Sequence, residues 1–259
     1  MKTLAFIKTL HTSNRELFFG GVASIVLAAI IFTLFIFDDR ELGGINVWIK
    51  PLKFALSFFV FLWTFAWILG RLPYKKNITY VSYGLLVCAI MEAIPITLQA
   101  ARGVTSHYNV STAFDGISFL IMGIFIALNT LIVIYIAWLF FQASPTQPFI
   151  YAIRGGLVIF ILGAISGGFM VANAAHTVGA ADGGRGLWFL NWSTDAGDLR
   201  VAHFFTLHAL QAVPLLTLLL PLHQRQRKIP VILIAGSYAI FCIFLHVQAL
   251  SENPFISTN

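Results

Sequence analysis

The sequence predicts an all-α, polytopic membrane protein: seven transmembrane helices, the N-terminus in the cytoplasm and the C-terminus outside. Three observations carry this. Of 259 residues, 59% are hydrophobic and only 10% are charged, whereas a soluble domain has about 25% charged residues. The mean hydropathy is +0.87. Seven stretches reach the roughly 20 apolar residues that a spanning helix needs. This excludes an ordinary soluble enzyme, a disordered chain and a nucleic-acid-binding module. No linker, low-complexity tract or internal repeat interrupts the pattern, so residues 1–259 read as one domain.

The first span, 17–37, is uncharged and too long for the core of a signal peptide, and residues 18–21 offer no clean cleavage site, so it stays in the mature protein. The second, 54–70, is short and extended outward by Lys53. The third, 78–100, carries Glu92, with Pro95 three residues on to disturb the helix ladder. The fourth, 116–141, follows Thr112-Ala-Phe-Asp115, which has the form of a capping box. In the fifth, 155–175, Gly163-Ala-Ile-Ser-Gly167 has the small-xxx-small spacing of close helix packing. The sixth, 201–222, opens with Asp198 as N-cap, and the seventh spans 230–250. Cys88 and Cys242 lie inside apolar runs and read as buried thiols, not as a disulfide or metal motif.

Charge sets the orientation. The N-terminus and the loops after the second, fourth and sixth spans hold ten basic residues against one acid, Glu16. The opposite side holds six basic residues against eight acids. The positive-inside rule places the basic side in the cytoplasm. The net charge of +6 is therefore mainly a topology signal. Arg154, on the inner side, reads as a snorkelling anchor.

Ionisable residues in spans are expensive and face the bundle interior. Here they gather at the outer side. Glu92 lies in the outer half of its span, followed by Gln99, Arg102 and His107. Asn173 and His176 reach the same side, as do Arg200, His203 and His208, and then His246. Glu92 reads either as a buried carboxyl bonded to a neighbouring helix or as a proton carrier or ligand. His203 and His208 are five apart, about 140° around a helix, which argues against a simple HxxxH metal pair. His208 and Gln211 share a face. Lys50, Lys53, Arg102 and Arg200 sit where positive helix ends also point, which suits an anionic group such as a carboxylate, a phosphate or a haem propionate. The glycine- and tryptophan-rich segment 176–198 reads as a packed lid. Glu92, Arg102, His203, His208 and His246 are expected to line one outward-opening cavity beneath it, with His208 the most buried residue of its helix.

Four blocks resemble a group of bacterial multi-pass membrane proteins to which no activity is assigned. They are Trp48-Ile-Lys-Pro-Leu-Lys-Phe54; Gln99-Ala-Ala-Arg-Gly103 with Ser106-His107-Tyr-Asn109; His176-Thr-Val-Gly179 with Asn191-Trp-Ser193; and Gly197-Asp-Leu-Arg200 through Gln211. The resemblance covers most of the chain and implies the same seven helices in a bacterial cytoplasmic membrane. Two families with known chemistry fit less well. Seven-helix zinc hydrolases similar to alkaline ceramidases carry an HxxxH pair in the last helix, which this chain lacks. Microbial rhodopsins need a Schiff-base lysine there, and no lysine follows Lys228.

Three functions remain open. The first is membrane-embedded redox or hydrolytic chemistry on a metal ion or b-type haem. Its metal ligands would be His203, His208, His246 and Glu92, with Glu92 and His208 as the catalytic pair. Lys50, Lys53, His107, Arg102, Arg200 and Gln211 would bind the ligand. The second is a proton-coupled transporter or sensor of a small, anionic solute at the outer face. The third is a structural subunit of a membrane complex. The bilayer is the partner common to all three.

Overall fold

A computed structural model describes residues 2–144, 148–183, 186–221, 223 and 227–257, with the side chains of residues 2 and 3 left aside. The chain is all-α. Its helices are α1 (Lys2–Ser13), α2 (Arg15–Phe37), α3 (Ile49–Leu69), α4 (Lys75–Ala101), α5 (Ala113–Gln142), α6 (Phe149–Asn173), α7 (Leu199–Leu219) and α8 (Lys228–Leu250). The seven from α2 to α8 are long and apolar enough to cross a bilayer. Rows of exposed apolar side chains, such as Ile30 and Ile36 on α2, Leu120 and Leu131 on α5, and Ile240 and Phe244 on α8, are what a helix surface in contact with lipid requires.

The chain forms two compact units, residues 1–132 and 133–259. In the first, α2, α3 and α4 pack on one another and α1 lies against α2 and α3. Asn14 joins α1 to the bundle. It caps α2 by accepting from the Leu17 backbone N–H at 3.0 Å and donates to Ser82 Oγ on α4 at 2.6 Å. A two-residue hairpin, β1 (Glu41–Leu42) with β2 (Ile45–Asn46), links α2 to α3. Its tip is Gly43-Gly44, with φ of 61° and 79°. That left-handed pair fits the twist of a tight hairpin and favours glycine at both places.

In the second unit, α6, α7 and α8 pack together. The contact of α6 with α7 runs along glycines. A Cβ on Gly156 would lie 2.9 Å from the Ala209 carbonyl oxygen, and one on Gly163 would lie 3.1 Å from the Leu207 nitrogen. The spacing read as helix-packing thus faces α7, extended two turns further by Gly156. The α6–α7 connection is closed by β3 (Thr177–Val178) pairing with β4 (Gly197–Asp198). Trp192 is buried there against Phe204, Phe205 and Phe255.

Element boundaries differ from the sequence reading in places with physical causes. α3 starts at Ile49, five residues early, because Pro51 falls in its first turn, where a missing N–H costs nothing. α6 starts at Phe149, because Arg154 is taken up inside it. Its guanidinium donates to the Phe140 carbonyl at 2.8 and 3.0 Å and to the Ala143 carbonyl at 2.8 Å. Arg154 therefore satisfies the last carbonyls of α5, in addition to lying over the Phe141 and Tyr151 rings. α1 was not expected.

Candidate functional site

In the first unit, polar side chains collect where α3 begins and α4 ends. Trp48 stands at the N-cap of α3, so Lys50 and Lys53 fall in its first turn and are half-buried. Lys50 Nζ lies 3.1 Å from His107 Nδ1, and Ser106 Oγ also lies 3.1 Å from that nitrogen. An ammonium has only donors. His107 Nδ1 is therefore the accepting nitrogen, and its ring proton sits on Nε2. Phe54 and Phe119 flank the ring, with centroids 6.0 and 6.1 Å away.

Glu92 sits deeper on α4 and is 6% exposed. Its Oε1 is buried and meets no hydrogen-bond partner among the described residues. Lys50 is its cationic neighbour, and Cys88 lies one turn back on the same helix. Pro95 has no N–H to give the Met91 carbonyl, which adjoins Glu92 in the chain.

Near the end of α4 a second cluster forms. Gln99, fully buried, donates to Asp115 Oδ1 at 2.8 Å. Arg102 donates to the same oxygen at 2.5 Å and to Gln99 Oε1, while its guanidinium lies 4.7 Å from the Phe114 ring centre. Thr112 caps α5 as expected, accepting from the Asp115 backbone N–H at 3.2 Å. The other half of the capping box is different. The Asp115 carboxylate accepts from the Thr112 hydroxyl at 2.6 Å rather than from its backbone N–H. Asp115 is thus both cap and counter-ion, and Arg102 is held by internal partners. Beside them, Arg40 pairs with Asp38 at 2.7 Å and donates to the Ala101 carbonyl at 3.1 Å. The Arg40 guanidinium and the Trp48 indole hold the Asp38 carboxyl well below the usual carboxylate range.

The second unit holds Arg200, His203, His208, Gln211 and His246. Asp198 caps α7, accepting from the Arg200 N–H at 2.9 Å, and takes the Arg200 guanidinium at 2.6 and 2.9 Å. A further bond from that guanidinium reaches the Asn191 carbonyl at 2.6 Å. Like Arg102, Arg200 is tied to an internal aspartate, the arrangement that its opposed helix end requires.

The three histidines share one feature. His203 Nδ1 lies 2.8 Å from the Gly163 carbonyl, His208 Nδ1 lies 2.8 Å from that of Phe204, and His246 Nδ1 lies 2.9 Å from that of Cys242. A carbonyl only accepts, so each ring carries its proton on Nδ1 and presents a lone pair at Nε2. His246 Nε2 accepts from the Ser166 hydroxyl at 2.7 Å. His208 stacks on Phe204 at 4.1 Å. Among the described residues, no group of three or more His, Cys, Asp or Glu side chains is placed to hold a metal ion. Of the expected metal set, His203, His208 and His246 belong to the second unit and Glu92 to the first. His208 is half-buried, while its neighbours Ala209 and Leu210 are fully buried. The expectation that it is the most buried residue of its helix is corrected: it turns back onto its own helix through the Phe204 carbonyl.

The expected cavity combined residues of both units. The structure describes Lys50, Glu92, Arg102 and His107 within one, and the histidines of α7 and α8 within the other. The segment expected to act as a lid is ordered around Asp182, which accepts from the Thr177 and His176 backbone N–H groups at 2.7 and 3.0 Å and lies 3.0 Å from His176 Nδ1. Residues 184 and 185 of that segment lie outside the described residues. Sequence reading missed Ser166 as a polar partner and Asp115 as the counter-ion of Arg102. Ser166 stood inside a row of small residues that already had a packing explanation.

Comparison with protein-family models, with curated proteins and with solved structures finds no match.

Proposed function

We propose that the chain is a proton-linked transporter or sensor of a small anionic solute in a bacterial cytoplasmic membrane. Glu92 is its proton-carrying group. The observation that carries this reading is the buried Oε1 of Glu92, without a hydrogen-bond partner among the described residues and beside the Lys50 cation.

The physical logic is a linkage. An ionised Glu92 neutralises Lys50 and lowers its attraction for any other anion. A protonated Glu92 no longer offsets the positive charge of Lys50, so a solute's carboxylate or phosphate is attracted there more strongly. Proton and anion therefore bind together, and each favours the other by the same factor. Such couplings are typically about 1–3 kcal/mol, or roughly 5- to 150-fold. The basic asymmetry puts the α3-start end outside, so the path through His107 and Lys50 opens there. The Trp48–Phe54, Gln99–Gly103 and His176–Gly179 blocks that resemble the bacterial seven-helix group support the same placement.

Binding of small carboxylates and inorganic phosphate to the purified protein, measured across pH, tests this. The wild type should bind one of these anions more tightly as pH falls. Glu92→Gln, a permanently neutral mimic, should bind it with that pH dependence removed. Retention of the full pH dependence in Glu92→Gln would show that another group carries the proton.

A second reading has one observation in its favour. Each of His203, His208 and His246 donates its Nδ1–H to a backbone carbonyl, the kind of bond that orients a ligating imidazole. An imidazole with its Nδ1–H so anchored could serve as an axial ligand of a b-type haem. A Soret band in the purified protein would move the assignment to that reading.

A further inference from the structure

Ser166 and His246 form a pair that the proton-linked reading does not use. Ser166 lies on α6 and is 7% exposed. Its hydroxyl sits 2.7 Å from His246 Nε2, and His246 Nδ1 sits 2.9 Å from the Cys242 carbonyl. The Cys242 carbonyl belongs to the helix that carries His246, so it holds the ring in one tautomer, with the basic nitrogen turned to the hydroxyl. These are the three roles of an activated serine: nucleophile, base and orienter, each within hydrogen-bond reach of the next.

The surroundings suit an acyl acceptor. Ser166 lies seven residues before the end of α6, about 10 Å along the axis, and His246 lies four residues before the end of α8, about 6 Å. Both therefore sit a short way below one end of their helices, where water for a second step is close. The helix face beside Ser166 carries Leu162, Ile165 and Phe169, all exposed, and a Cβ on Gly168 would meet nothing within 4 Å. An apolar chain can lie along that face. The His203 ring rests against Gly167, the residue after Ser166.

We infer that Ser166 is a nucleophile activated by His246, and that the pair accepts the acyl group of a carboxylic ester with an apolar chain. In the first step the Ser166 Oγ–acyl bond forms while its proton passes to His246 Nε2. The ester C–O bond then breaks, and the departing alkoxide takes that proton and leaves as an alcohol. In the second step water attacks the acyl-serine, its proton passes through His246 to Ser166 Oγ, and a carboxylic acid is released. No oxidant, reductant or metal enters.

The test is covalent labelling of the full-length protein in mild detergent with an alkyl fluorophosphonate, read by peptide mass spectrometry. The expected result is an adduct at Ser166. His246→Gln, compared at equal helical content by circular dichroism, should lower the labelling rate roughly 100-fold or more, the range for loss of a general base. Ser166→Cys should transfer reactivity to a thiol reagent of the same chain length, again dependent on His246. An unlabelled Ser166 in folded wild type would overturn the inference. So would equal labelling rates in wild type and His246→Gln, which would leave the pair as a helix–helix hydrogen bond.

Discussion

Gly156→Ala tests the packing on which the second unit depends. A methyl group at 156 would lie 2.9 Å from the Ala209 carbonyl oxygen and 3.2 Å from Leu210 Cα. Both atoms are backbone of a long helix, so no side chain can rotate away. Relief requires α6 and α7 to separate by a few tenths of an ångström along the row that also holds Gly163 and Gly167. Overpacking of this kind costs about 1–3 kcal/mol. Replacing glycine by alanine in a helix also returns about 1 kcal/mol of propensity, which would blur the reading of a single variant. Gly168→Ala is the matched control, because a Cβ there meets nothing within 4 Å. The propensity gain cancels between the two, leaving the overpacking cost. At about 2–4 °C per kcal/mol for a chain of this size, Gly156→Ala should melt roughly 2–12 °C below Gly168→Ala in detergent. Equal midpoints, or a higher one for Gly156→Ala, would refute the close approach of α6 and α7.

Other predictions concern the ends of the helices. Asn14→Ala removes the cap of α2 and the bond to Ser82 together and should cost about 1–3 kcal/mol by thermal unfolding. In the α6–α7 connection, burial pushes the Asp182 carboxyl up, but hydrogen bonds from Thr177 and the His176 backbone outweigh it and hold it below its ordinary 3.8. A depressed folded value means the contribution is present above 3.8 and lost as pH falls through the lower folded value. Hydrogen-exchange protection of the His176 and Thr177 amides, taken relative to their intrinsic rates, should therefore fall on acidification in the wild type. In Asp182→Asn that protection should be low at every pH. For topology, reporter fusions after Lys75 should behave as cytoplasmic and those after Asn109 as external, and the opposite pattern would invert the proposed direction of access.

The seven spans were legible because lipid selects on a property that one dimension displays: about 20 apolar residues in a row. Helix α1 was not, because its 12 residues mix Lys8 and His11 with a fully buried Leu10, and tertiary packing decides such a short amphipathic segment. Asp198 as a cap could be read from its neighbours, since capping is local. The partners of Arg102 could not. Asp115 is thirteen residues away across a loop, and its capping signature hid its second role. The histidines were legible as a group at one depth. What each nitrogen does depended on carbonyls of Gly163, Phe204 and Cys242, and backbone acceptors leave no mark on sequence spacing.

Infrared difference spectroscopy on the reconstituted protein, stepping pH, addresses Glu92 most directly. A protonated carboxylic C=O band should disappear on alkalinisation, shift down in D2O and be missing in Glu92→Gln. Added anion should move its loss to higher pH in the wild type. A spectrum in which Glu92→Gln removes no titrating carboxylic band would contradict the claim that Glu92 carries the proton.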